Sequence, residues 1–180
     1  SIGVWKWFKL SDKPDGADPS GDIEAGDITG DGIADIASAW RFGTKYQDGK
    51  TKAFYQVGYV PVRKVSVGDI TGEGKAEVVS SESTGIWYKN IATSRFTRMT
   101  TSGWDTTGDI AAGDITGDGR ADVASCWPGN GLLYQDGNSL GWRRITTYVP
   151  YNIAVGDLNG DGKAEVVGGF ANGIWSWNPA

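Results

Sequence analysis

Twelve of the chain's 22 acidic residues fall into four short clusters with one spacing. The clusters are Asp27, Asp31 and Asp35; Asp69, Glu73 and Glu77; Asp114, Asp118 and Asp122; and Asp157, Asp161 and Glu165. Counting from each first aspartate, acids stand at positions 1, 5 and 9. Position 3 holds Thr29, Thr71, Thr116 or Asn159, and position 6 is always glycine. Side-chain oxygens at alternating positions around a tight turn can converge on one hard cation, which is the coordination chemistry of calcium. The backbone carbonyls at position 7, on Ile33, Lys75, Arg120 and Lys163, would add a ligand to each loop. Histidine is absent and the one cysteine, Cys126, lies outside the clusters, so transition-metal chemistry is disfavoured.

The first half of each cluster matches an EF-hand loop, but the second half does not. The closing acid comes at position 9, and aliphatic strand residues follow at once (Ile36, Val78, Val123, Val166) where an EF-hand would have a helix. Up to four calcium ions are therefore expected. The second loop should be the weakest, because Glu73 and Glu77 crowd a compact site with longer side chains. Four divalent ions would more than offset the net charge of −5, so the acidity reads as local ligand charge and does not imply a basic partner. Asp-Gly pairs that merely make tight turns are the plainer alternative; four in-phase copies weigh against it.

These loops need elements to hold them. Asp27, Asp69, Asp114 and Asp157 lie 42, 45 and 43 residues apart, a period that marks an array of supersecondary units such as propeller blades. Each unit has a small apolar strand before the loop (Ile23 to Ala25, Val65 to Val67, Ile110 to Ala112, Ile153 to Val155) and a second strand after it. A third strand begins at Gly43, Gly85, Gly131 or Gly173. A fourth carries Phe54, Phe96 or Trp142. The expected fold is all-β: a small propeller of four blades with four antiparallel strands each, in a single domain over residues 1–180. The last unit lacks a fourth strand, and Trp7-Phe8-Lys9-Leu10 has the matching pattern, so the N-terminal strand is expected to close the ring and hide its edges. A piece of a longer propeller, or a ring of several chains, is the alternative. Units one and three resemble each other, as do units two and four, so the chain reads as a duplicated two-blade unit in which a ligand site would occur twice.

The repeated DITGDGxAD with its glycine-led aromatic strand resembles the FG-GAP and VCBS repeats of integrin alpha-chain propellers, secreted bacterial proteins and Psathyrella velutina-type fungal lectins. The resemblance covers nearly the whole chain. It implies a calcium-bearing propeller with ligands at positions 1, 3, 5, 7 and 9. The threonine at position 3 of three loops departs from the Asp or Asn often found there.

The resemblance also frames the function. Nine tryptophans offer flat faces for sugar rings, and the lectin relatives bind sugars between blades. Trp40 and Trp127, present only in alternate units, lead the ligand-site candidates, followed by Trp87, Trp175 and Trp104. Tryptophans in register also pack blades together, which is the competing role. The expected function is a secreted, non-catalytic, glycan-binding module. The alternative is a structural or adhesion subunit that self-associates as a homo-oligomer. A polysaccharide-degrading enzyme ranks below both: Asp22 and Asp109 occupy matching places, as do Asp48 and Asp136, whereas a catalytic pair is usually unique. No basic stripe favours nucleic acid and no stretch is apolar enough for membrane insertion. The start at Ser1, without a signal-like segment, fits a processed extracellular chain. Cys126 aligns with Ala39 and reads as a small buried residue.

Overall fold

A computed structural model describes residues 21–100 and 108–179. Short strands alternate with glycine-rich turns, and the hydrogen bonds of each run close within its own sheet. The first sheet is β1 (Ile23–Gly26), β2 (Asp35–Trp40), β3 (Gly43–Gln47) and β4 (Phe54–Gly58). The second is β5 (Val62–Gly68), β6 (Glu77–Glu82), β7 (Gly85–Asn90) and β8 (Arg95–Arg98). The third is β9 (Ile110–Gly113), β10 (Asp122–Trp127), β11 (Gly131–Gln135) and β12 (Trp142–Thr146). In the fourth, β13 (Asn152–Gly156), β14 (Glu165–Phe170) and β15 (Gly173–Trp177) lie among the described residues. Each sheet is an antiparallel meander in chain order, and the four are the blades of a β-propeller. The proposed closing strand, Trp7 to Leu10, lies outside the described residues. No helix among them is long and apolar enough to cross a membrane.

Turn chemistry sets the register. Trp127 pairs with Gly131 across the β10–β11 hairpin, and Gly131 has φ 88°. A β-carbon there would stand 2.0 Å from the Thr146 carbonyl oxygen, so only glycine lets β12 approach. A bulge interrupts β3–β4 at Thr44/Lys45 and β11–β12 at Leu132/Leu133, the same place in blades one and three, while β7–β8 runs without one. Blades one and three thus share a backbone irregularity that blade two lacks.

Apolar faces of adjacent blades meet in three clusters. Ile28, Ala37 and Tyr46 of blade one pack with Val62, Val65 and Val78 of blade two. Ile70, Val79, Ile86 and Met99 of blade two pack with Ile110, Val123, Trp127 and Leu133 of blade three. Ile115, Ala124, Cys126 and Leu132 of blade three pack with Ala164 and Val166 of blade four. Each junction also has one backbone bond. The N–H groups of Ala76, Ala121 and Ala164 donate to the carbonyls of Asp27, Asp69 and Asp114 in the preceding blade, at 2.8, 2.8 and 2.7 Å. Cys126 is buried in the third cluster, and burial pushes its thiol pKa up, as a structural cysteine requires.

Candidate functional site

All four acidic loops fold alike, from the first acid outward. In the third, Asp114 Oδ1 accepts the N–H groups of Gly117 and Asp118 at 2.7 and 3.0 Å, and Oδ2 accepts that of Gly119 at 2.9 Å. Asp27 does the same for Gly30, Asp31 and Gly32, Asp69 for Glu73 and Gly74, and Asp157 for Gly160 and Gly162. Hydrogen bonds to the ionised form favour it; that from Gly32, then those from Gly30 and Asp31, hold the Asp27 carboxyl below its ordinary value, and Asp157 is lowered by the same means.

The position 9 acids are buried braces. Asp35 accepts the Thr29 N–H at 2.8 Å and the Gly49 N–H at 2.7 Å, tying its loop to the β3–β4 turn. Asp122 repeats this with Thr116 and Gly137 at 2.7 and 2.8 Å. The longer Glu77 reaches the Asn90 side chain at 2.9 Å and the Thr71 hydroxyl at 2.8 Å, and Glu165 reaches the Asn159 side chain at 2.9 Å. Burial raises the pKa of Glu77 and of Asp122. Position 3 therefore has two environments. The Thr71 and Asn159 side chains are hydrogen-bonded, whereas the Thr29 hydroxyl is buried and makes no hydrogen bond, and the Thr116 hydroxyl is buried against the Asp122 carboxylate, close enough to lower its pKa but without a well-formed hydrogen bond. An orphaned hydroxyl amid carboxylates in loops one and three fits an all-oxygen cation site. Among the described residues no three acidic side chains converge closely enough to hold a metal by themselves, because the position 1 and 9 acids face loop N–H groups. Each carboxylate oxygen can accept more than one partner, so these bonds leave ligand capacity.

The opposite end of the blades is aromatic. Antiparallel strands place the β2–β3, β6–β7 and β14–β15 turns, and the connectors between blades, away from the acidic loops. Between blades three and four opens a crevice of about 730 Å³ lined by Tyr148, Tyr151, Phe170, Asn172, Trp175 and Trp177, among others. Trp175 is 59% exposed, and its indole N–H donates to the Asn172 amide oxygen at 3.2 Å. Trp87, its counterpart in blade two, is half-buried under the Arg98 guanidinium at 5.6 Å and donates to the Thr84 hydroxyl. The two leading candidates separate. Trp127 is 1% exposed, with its ring 4.9 Å from Trp142 in an edge-on contact, and it has no face left for a ligand. Trp40 is half-buried and donates to the Ser38 hydroxyl at 2.7 Å. Trp104 lies outside the described residues. Sequence reading missed Tyr148 and Tyr151; the signal was a repeated Tyr-Val-Pro, at Tyr59 and again at Tyr148, in the connectors between blades one and two and between blades three and four.

Of the acids nearest the axis, Asp22 and Asp109 are occupied, while burial, then the charges of Asp22 and Asp109, push the pKa of Glu24 beside them up. Lys64 lies 2.9 Å from Asp109 and 3.9 Å from Asp22. Burial alone would lower the Lys64 pKa, but Asp109 outweighs it and the net shift is upward. Asp22 and Asp109 each also accept a backbone N–H from the next blade, of Val65 at 3.3 Å and Ile153 at 2.9 Å. Their repetition thus has a structural cause: each stitches its blade to the following inner strand.

Comparison with curated protein sequences finds no match. Among solved structures, the chain is similar to an Agrocybe aegerita lectin whose structure concerns specific recognition of non-reducing terminal N-acetylglucosamine: 20% identity, TM-score 0.58, covering 84% of this chain and 48% of that one. A weaker likeness, TM-score 0.47 at 20% identity, covers 87% of this chain and 30% of the V. cholerae biofilm matrix protein Bap1. The chain spans about half the length of the lectin, and at this identity the likeness speaks for the propeller fold. Residues 149–175, which run from the connector through the loop of Asp157 to β15, match the family model of the FG-GAP repeat. The fourth blade thus resembles an FG-GAP repeat, and blades one to three carry the same loop on the same strands.

Proposed function

We propose that the chain is a non-catalytic, glycan-binding propeller module of the extracellular space, with the crevice between blades three and four as its ligand site. The observation that carries this reading is the crevice itself. It pairs exposed aromatic planes (Tyr148, Tyr151, Trp175) with amide and hydroxyl groups (Asn172, Thr146, Ser176) in a cleft of ligand-binding size. Aromatic faces suit the C–H faces of sugar rings, and the polar groups suit their hydroxyls. Large exposed aromatics gathered at one place are uncommon on a surface without a partner. Asp22 and Asp109 support a binding role over catalysis, since both are engaged by Lys64 and by backbone N–H groups.

Calcium belongs to the same reading as a structural ion, held by Asp27, Thr29, Asp31, the Ile33 carbonyl and Asp35, and by their counterparts in the other loops. Bound there, it would supply positive charge that relieves the packed acids. The loops and the crevice lie at opposite ends of the blades, so calcium would act on ligand binding through the fold.

The test is a glycan array in millimolar calcium, with wild-type protein and Trp175→Ala. Selective binding by wild type, reduced at least about tenfold in the variant at an unchanged melting temperature, is expected. Absence of any glycan binding by folded wild-type protein would overturn the reading.

A further inference from the structure

The two ends of the blade array carry the two halves of one more junction. At each internal junction the residue after the loop's first aspartate is buried by the next blade: Ile28, Ile70 and Ile115 are at most 2% exposed, whereas Leu158 is 64% exposed. The second residue of the third strand behaves likewise. Thr44, Ile86 and Leu132 are buried, and Ile174 is 81% exposed. Gly26, Gly68 and Gly113 pack against Val67, Ala121 and Val155 of the next blade, and Gly30, Gly72 and Gly117 against the stems of Lys75, Arg120 and Lys163; Gly156 and Gly160 face open space. The face of blade four turned toward blade three is covered, with Val166 buried and Trp177 against Tyr134. No described residue covers its other face.

Blade one shows the complement. Val65 and Ile110 are buried by the preceding blade, but Ile23, in the same position, is 68% exposed. Ala121 and Ala164 are buried, and Ala34 is exposed. Among the described residues, the Ala34 N–H lacks the bond that Ala76, Ala121 and Ala164 make, and the Asp157 carbonyl lacks the one that Asp27, Asp69 and Asp114 accept. Ile33, an apolar residue where the other blades have Lys75, Arg120 and Lys163, is exposed as well.

We propose that a second copy of this chain seats its first blade on the fourth blade of its neighbour and rebuilds the internal junction between chains. Ile23, Ala25, Ile33 and Ala34 of one copy cover Gly156, Leu158, Gly160 and Ile174 of the other, and the Ala34 N–H donates to the Asp157 carbonyl. The occupant is specified by the repeat, because the bare face of blade four needs the shape, donor and apolar positions that every blade presents on its leading side. The contact is head-to-tail and joins two different surfaces, so it produces a ring where the rotation closes and a filament where it does not. It is independent of the glycan reading, whose crevice lies on the covered side of blade four.

Sedimentation of the wild-type chain over a range up to tens of micromolar tests this. A concentration-dependent mass above that of one chain is expected. Leu158→Arg blocks the trailing face and Ile23→Arg the leading face. Each variant alone should sediment as a single chain with an unchanged melt, while an equal mixture should form a two-chain species and nothing larger, because one intact face of each kind remains. Wild type at single-chain mass throughout, or a mixture that stays at single-chain mass, would overturn the proposal.

Discussion

At the scale of single residues, burial decides which acids and tryptophans hold the fold and which remain free for a ligand. Asp122 is fully buried and satisfies two backbone N–H groups, so Asp122→Ala should leave the Thr116 and Gly137 donors without partners. A loss of about 2–3 kcal/mol in urea unfolding is expected even in chelator. Thr116→Val separates the two readings of its loop. The Thr116 hydroxyl is buried against the Asp122 carboxylate without a well-formed hydrogen bond, so without calcium the substitution should change the melting temperature little. If the hydroxyl is a ligand, the rise in melting temperature that calcium gives the wild type shrinks in the variant. Equal rises would remove Thr116 from the ligand set. The tryptophans divide in the same way. Trp127→Ala should cost about 3–5 kcal/mol by opening a core cavity, and Trp175→Ala within about 0.5 kcal/mol, both read by chemical denaturation.

At the scale of elements, strand order and turn placement were legible because the alternating pattern and the glycines recur four times. The strands expected before each loop and those led by Gly43, Gly85, Gly131 and Gly173 all form. What the pattern lacked was the neighbour of each element. Trp40 and Trp127 stand at the same place in the repeat, yet Trp127 packs with Met99 and Leu133 in the core between blades two and three, while Trp40 lies on the side of blade one that no blade among the described residues covers. The position 9 acids look like any other loop acid in the sequence; their role as braces depends on Gly49, Gly137 and Asn90, which lie 13 to 15 residues away in a different turn. The aromatic crevice was not legible because Tyr148 and Tyr151 fall in a connector between units, outside the strands and loops that repeat. Strand β6 supplies a pH test. Burial raises the Glu82 pKa above its usual 4.5. The folded state then binds its proton more tightly than the unfolded chain. That contribution is complete below the unfolded pKa and is lost as pH rises through the folded one. Glu82→Gln should therefore equal or exceed wild type in stability at neutral pH, with the difference narrowing below about pH 4.5. A variant less stable at pH 7 would show that the charged form is compensated within the fold.

At the scale of the whole molecule, the four blades make a two-ended body. Acidic loops, each turned around a position 1 carboxylate, crown one end, and exposed Tyr59, Tyr148, Tyr151 and Trp175 gather at the other. Between them, the junction bonds and the Asp22–Lys64–Asp109 bridge fix each blade against the next. The proposed function assigns stability to the loops and recognition to the aromatic end. The most direct measurement of that assignment follows the indole N–H signals of the nitrogen-15-labelled protein by NMR while the best array glycan is titrated in. The Trp175 signal should shift in a saturable way while that of buried Trp127 stays in place. A saturable shift confined to tryptophans away from the crevice, or no shift at any indole with a glycan that binds, would contradict the assignment.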